Sequence, residues 1–221
     1  TLGSQMFSFF KRFLKESDLL DDNGFTRFAE IISDIGLDEN LSWALMLANL
    51  AYNPQIGWYI CNISFGETMS KEYVCSMLVD SGADEKWVND VWSSLARILD
   101  LPFSHVGLGE MVKEKNKAVA LYRTGWQVPD ERVILYSLYQ FSEKCGNFKQ
   151  FTLTRLLDTS IESDGISPTQ IFGLNRDTME KILNGLTFNY PDLIEARFTL
   201  GLDNITLKSD KSAEEILNEL F

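Results

Sequence analysis

Residues 70–126 allow fewer folds than any other stretch of this chain. Ser70 stands where a helix N-cap belongs, ahead of Tyr73, Val74, Met77 and Leu78 at helical spacing, and Gly82 closes that segment. Asp84 starts a second helix on which Trp87, Val88, Val91, Trp92, Leu95 and Ile98 form one apolar stripe, stopped by Pro102. Residues 105–111 and 118–123 then read as extended, joined by a loop that holds Lys113, Lys115 and Lys117. Helix, turn, helix and two-stranded wing is the order of a winged-helix module, a unit that recognises another macromolecule and carries no chemistry of its own.

Ahead of this stretch, Met6, Phe9, Phe10, Phe13 and Leu14 line a short amphipathic helix. Phe25, Phe28, Ala29, Ile32 and Ile35 line a second, ended by Gly36. Residues 41–52 are apolar on nearly every side, which predicts a central buried helix ended by Asn53-Pro54. Residues 55–63, with Ile56, Trp58, Tyr59 and Ile60, have the aromatic and β-branched content of a strand, and are expected to join the wing hairpin as its third strand.

The grammar restarts after Trp126. Pro129-Asp130 opens a helix through Val133, Ile134, Leu138 and Phe141 to Gly146, and residues 151–157 form another short one before a polar loop at 158–165. Ser167, Pro168 and Gln170 make a capping box ahead of a short helix closing near Gly173, and Asn175 begins the next, with Met179, Ile182, Leu183 and Leu186 on one face. Ile194, Ala196, Phe198 and Leu200 alternate with polar residues, and across a Gly201 turn so do Ile205 and Leu207, which predicts a half-buried hairpin. Ser212 and Glu215 cap a final helix. The two halves share this pattern at an offset of about ninety residues, without appreciable identity.

The expected fold is therefore mainly α with small β-hairpins, as tandem winged-helix units. Residues 1–24 form the N-terminal helix and linker, 25–126 the first unit, and 127–221 the second with its C-terminal helix. The alternative is one irregular, mainly helical domain with two hairpins.

No membrane span is expected, because the longest nearly uncharged apolar stretch, 41–63, is broken by Asn49, Asn53, Pro54, Gln55 and Gly57. Lys11 and Arg12 interrupt the first apolar run, so no signal peptide is read there. Thr-Leu-Gly-Ser-Gln before Met6 suggests a residual tag or a piece of a longer protein. Three scattered cysteines, Cys61, Cys75 and Cys145, imply reduced thiols and a cytoplasmic protein.

Nothing in the sequence assembles a catalytic constellation, so no enzyme activity, cofactor or metal is expected. His105 is the one histidine, too isolated for a triad or a metal site. Gly107-Leu108-Gly109 lacks the third glycine of a dinucleotide loop and reads as a flexible approach to the wing. The acidic residues Glu16, Asp18, Asp21 and Asp22 lack the spacing of a calcium loop.

The formal charge of −12 is the reverse of what a dedicated DNA-binding domain carries. The second helix of the first unit sets Asp84, Glu85 and Asp90 against Lys86 and Arg97, and residues 175–189 balance two acids with two bases. The first wing differs: Lys113, Lys115, Lys117 and Arg123 outnumber Glu110 and Glu114, and these four are the candidate nucleic-acid contacts. Phe7, Phe9, Phe10 and Phe13 are the candidate contacts to a protein partner, since a phenylalanine-rich helix docks readily in a groove. Protein–protein assembly is the first expectation and a DNA-binding adaptor the alternative.

Three segments carry a resemblance: Trp126-Gln127-Val128-Pro129-Asp130 with Val133-Ile134-Leu135-Tyr136-Ser137-Leu138-Tyr139; residues 165–174, Gly-Ile-Ser-Pro-Thr-Gln-Ile-Phe-Gly-Leu; and residues 198–205, Phe-Thr-Leu-Gly-Leu-Asp-Asn-Ile. From about Asn23 onward the chain resembles an uncharacterised bacterial family of phage-defence and DNA-modification neighbourhoods, which include phosphoadenosine-phosphosulfate-reductase-like proteins. The resemblance implies a defence-system component or an accessory region of a larger one. It names no functional residue, and the reductase's nucleotide and cysteine motifs are missing from this sequence.

Overall fold

A computed structural model of the chain describes residues 4–100, 102–160, 163–199 and 202–221. It is mainly helical, with two small three-stranded antiparallel sheets. The Met6 side chain, Leu200 and the Gly201 turn lie outside the described residues.

Helices α1 (Ser4–Glu16), α2 (Arg27–Ile35) and α3 (Asn40–Leu50) lead the chain. Thr26 caps α2 by accepting the Ala29 N–H, so Phe25 falls before the helix and stands exposed instead of joining its apolar face. Helix α3 is buried on all sides, as its composition requires, with Ala44, Leu45, Leu47 and Ala48 fully enclosed.

The next segment corrects the expectation of a strand at 55–63. Those residues form helix α4 (Pro54–Asn62). Asn53 Oδ1 accepts the N–H groups of Gln55 and Ile56, and Pro54 sits in the first turn where its missing N–H costs nothing. A good start signal outweighs β-propensity, which mostly measures how a side chain packs on a pleated surface.

The third strand of the first sheet is instead β1 (Thr68–Ser70). It is followed by α5 (Lys71–Asp80), capped by Ser70 as read from sequence, and α6 (Val88–Ile98). Asp84 caps a single 3-10 turn, Glu85–Trp87, and not α6 itself, which leaves Trp87 exposed and off the apolar stripe. Of the segment expected to be extended, 105–111, a second 3-10 turn, Phe103–Val106, takes the first two residues, and only Glu110 and Met111 are strand. The turn is held by burial of Val106 and by Phe103, whose ring meets Trp43 edge-on at 5.4 Å. Strands β2 (Glu110–Glu114) and β3 (Lys117–Tyr122) complete the sheet in the order β1-β3-β2.

The second half runs α7 (Glu131–Lys144), β4 (Gln150–Phe151), α8 (Leu153–Leu157), α9 (Pro168–Phe172), α10 (Arg176–Asn189), β5 (Ile194–Thr199), β6 (Leu202–Leu207) and α11 (Ala213–Leu220). Its sheet order, β4-β6-β5, repeats that of the first: an isolated strand pairs with the far strand of a later hairpin. Ala196 lies opposite Ile205 and Ile194 opposite Leu207, all four buried, as the alternation requires. Both capping boxes form as read.

The halves meet across α3 and α7, and around a set of glycines. The Gly107-Leu108-Gly109 segment is not a flexible approach to the wing but one of the closest-packed places in the molecule. A Cβ on Gly107 would lie 2.5 Å from the Phe172 carbonyl oxygen and 2.6 Å from Trp126 N. Gly125 and Gly173 together accept the ring of Phe65, and a Cβ on Gly125 would meet it at 2.8 Å while striking the Gly173 carbonyl. Gly125→Ala is therefore expected to cost about 2 kcal/mol or more by forcing this junction apart. Gly146→Ala, where nothing stands within 4 Å, should lose only what its positive φ costs, about 1 kcal/mol. Urea unfolding of the two variants checks the difference, and equal losses would show that the junction is not tightly packed.

Candidate macromolecule-binding surfaces

The β2–β3 hairpin, expected from sequence to be a wing, is closed by two residues, Lys115 and Asn116, both at positive φ (47° and 64°), with Glu114 paired opposite Lys117. Positive φ at both positions is the type I′ turn, whose twist matches that of the flanking strands. Lys115 and Lys117 are exposed and make no ion pair among the described residues. Lys113 is different: just past a β-bulge at Val112/Lys113, it pairs with Asp100, so its charge is locally answered.

Arg123, the fourth candidate, is not a surface contact. It is 3% exposed. Its Nη1 donates to the carbonyls of Ile60 (2.6 Å) and Ile63 (2.8 Å) at the C-terminal end of α4, its Nη2 donates to the Gln170 carbonyl in α9, and the guanidinium carbon lies 5.8 Å from the Tyr59 ring centre. Burial pushes its pKa below the usual arginine value, but an arginine so placed remains a cation. The α4 carbonyls it caps are the negative end of a helix, which is what makes a buried guanidinium tolerable without a carboxylate. One sequence signal pointed this way: Val119, Leu121 and Arg123 share a parity, and Leu121 faces the core. The residues that meet it, Ile60, Ile63 and Gln170, use only backbone oxygens, so no side-chain pattern marks them.

Of the four phenylalanines assigned to partner binding, Phe13 is half-buried against the core. Phe7, Phe9 and Phe10 are 59%, 62% and 52% exposed on α1. Phe25, which the sequence placed on α2, is 76% exposed and stands with Leu37 at an open apolar groove of about 640 Å³. Leu14, Leu19, Ala29 and Ile32 line its wall, and Glu30 and Asp34 mark its rim. Sequence reasoning missed Phe25 and Leu37 because a helical wheel assigns residues to faces but cannot show where a face is left uncovered.

The residues weighed for chemistry remain apart. His105 is on the surface, and the three thiols are free and separate, with burial pushing those of Cys61 and Cys75 up. Asp21 turns inward on its own loop, accepting the N–H groups of Asn23 and Gly24. Among the described residues no three His, Cys, Asp or Glu side chains converge to hold a metal, and no helix is long and apolar enough to cross a membrane.

Comparison with known proteins bears on the fold alone. No protein-family model and no curated protein matches the sequence. A crystal structure described as magnesium ion-bound SspB superposes with a TM-score of 0.70 at 15% identity, covering 99% of this chain and 76% of that one. At that identity the likeness concerns backbone architecture, and the magnesium is a property of that protein.

Replacing the Arg123 guanidinium by an apolar chain of similar length leaves three carbonyls facing a dry interior. Arg123→Met is expected to cost about 3 kcal/mol or more in urea unfolding, with Arg123→Lys recovering only part, since an ammonium lacks the planar fork that reaches all three. A loss below about 1 kcal/mol would remove the structural role.

Proposed function

We propose that the chain is a non-catalytic recognition module built of two winged-helix units, which holds a protein partner through the apolar surface at its N-terminal end. The observation that carries this reading is the exposure of Phe7, Phe9 and Phe10 on α1 and of Phe25 and Leu37 at the groove that Leu14 of the same helix helps to line. Leaving that much aromatic surface in water is unfavourable unless something covers it, and contiguous exposed apolar patches mark interaction sites. The winged-helix part is supported by the repeated order of strand, helices and hairpin, with the isolated strand pairing to the far hairpin strand in both halves. The resemblance to a bacterial defence-associated family adds a setting: such a module belongs in a phage-defence or DNA-modification complex. Its separated His105 and thiols favour binding over catalysis.

A second reading, DNA binding, draws on a different surface. Lys115 and Lys117 project from the wing tip, and the exposed side of α6 offers Asn89, Ser93 and Arg97, side chains suited to base edges and phosphates. Against it stand Asp90 on the same helix and the overall charge of −12.

Affinity capture from the native host separates the two. The variant with Phe7, Phe9 and Phe10 changed to Asp is expected to lose at least about tenfold of the retained partner, while Lys115→Glu with Lys117→Glu keeps it. A mobility shift at about 50 mM salt that fades by about 200 mM and is abolished in the lysine variant would transfer the function to DNA.

A further inference from the structure

We infer that the occupant of the N-terminal groove is a second copy of this chain, docked by a two-fold contact in which α1 of each copy lies over the α2 groove of the other. This rests on the reading of that surface as a protein-binding site and names its partner.

Charge is the first ground. The exposed part of α1 is basic, with Lys11, Arg12 and Lys15 against Glu16. The groove and the turn that follows α2 are acidic: Glu30 and Asp34 on the helix, then Asp38 and Glu39, against Arg27. Several of these charges are answered within the chain by exposed pairs, Arg12 with Glu16, Lys15 with Asp22 and Arg27 with Glu30, which are weak and exchangeable. Lys11 on one side, and Asp34, Asp38 and Glu39 on the other, have no ion pair among the described residues. A chain of net charge −12 repels its copies in most orientations, so a local basic helix facing a local acidic groove selects this one.

Symmetry is the second. Helix and groove are adjacent on one chain, with Leu14 of α1 and Leu19 just beyond it lining the groove, so one rotation satisfies both contacts at once, as a two-fold interface requires.

Area is the third. At the ~200 Å² an aromatic side chain presents, Phe7, Phe9, Phe10 and Phe25 leave roughly 500 Å² uncovered per chain, so a two-fold contact buries at most about 1,000 Å² of these rings, near the lower bound of a specific interface. A dimer of modest, concentration-dependent affinity follows.

Sedimentation equilibrium on the whole chain tests this, with a charge swap as the diagnostic. Wild type is expected to dimerise at tens of micromolar, and Lys11→Glu with Arg12→Glu, or Asp34→Lys with Asp38→Lys, to weaken the dimer by about tenfold. All four substitutions together should restore it to within about threefold of wild type. The four side chains are exposed, so circular dichroism should be unchanged in every variant. A wild type that is monomeric throughout, or a fourfold variant no tighter than either double, overturns the proposal. A monomeric wild type that still loses a captured protein on the phenylalanine changes overturns the dimer while leaving the binding surface in place.

Discussion

A buried guanidinium holds the two halves of this molecule together. Arg123 leaves the end of β3, caps the exposed carbonyls of α4 in the first half, and reaches the Gln170 carbonyl of α9 in the second. The last carbonyls of a helix have no partner of their own, and in a dry interface each such group costs free energy unless a donor is supplied. One planar fork supplies three. Because α4 is a helix and not a strand, its C-terminal carbonyls converge on a point that a single side chain can serve.

Around that point the backbones approach closely. The Trp126 N–H donates to the Phe172 carbonyl at 2.8 Å, the two rings lie 5.2 Å apart, and Gly107, Gly125 and Gly173 let chain cross chain without a Cβ between. On the other side, Asn49 of α3 accepts from Tyr136 and Gln140 of α7 and donates to the Ser17 carbonyl, tying the end of α1 to both buried helices. Polar groups paired in this way favour one arrangement of helices that apolar packing alone leaves free to slide.

With the junction committed to structure, the uncommitted polar and apolar surface lies at the edges. The β2–β3 hairpin retains Lys115 and Lys117 once Lys113 is engaged by Asp100, a thin positive feature on an acidic molecule. The N-terminal end keeps the larger resource, aromatic area beside charges of both signs. The proposed protein-binding role draws on both, since burial of apolar surface supplies most of the stability of protein association and charge selects orientation.

The sequence by itself determined most of the helices, the caps at Ser70, Ser167, Asn175 and Ser212, and the second hairpin, because these depend on local chemistry: a serine three residues ahead of a free N–H, a period of 3.6 or of 2, a glycine where φ turns positive. It also located the lysines at the wing tip and the phenylalanines of α1. It misread residues 55–63, where aromatic and β-branched content mimics a strand although Asn53 and Pro54 start a helix, and it placed Arg123 among the phosphate contacts. Tertiary structure alone decided which carbonyls Arg123 meets, that the glycines near residue 107 are packed and not flexible, and that Phe25 and Leu37 open onto a groove. The physical reason is common to all three. Each depends on backbone atoms or uncovered area brought together from distant parts of the chain, and neither a carbonyl oxygen nor an absent neighbour leaves a trace in the order of side chains.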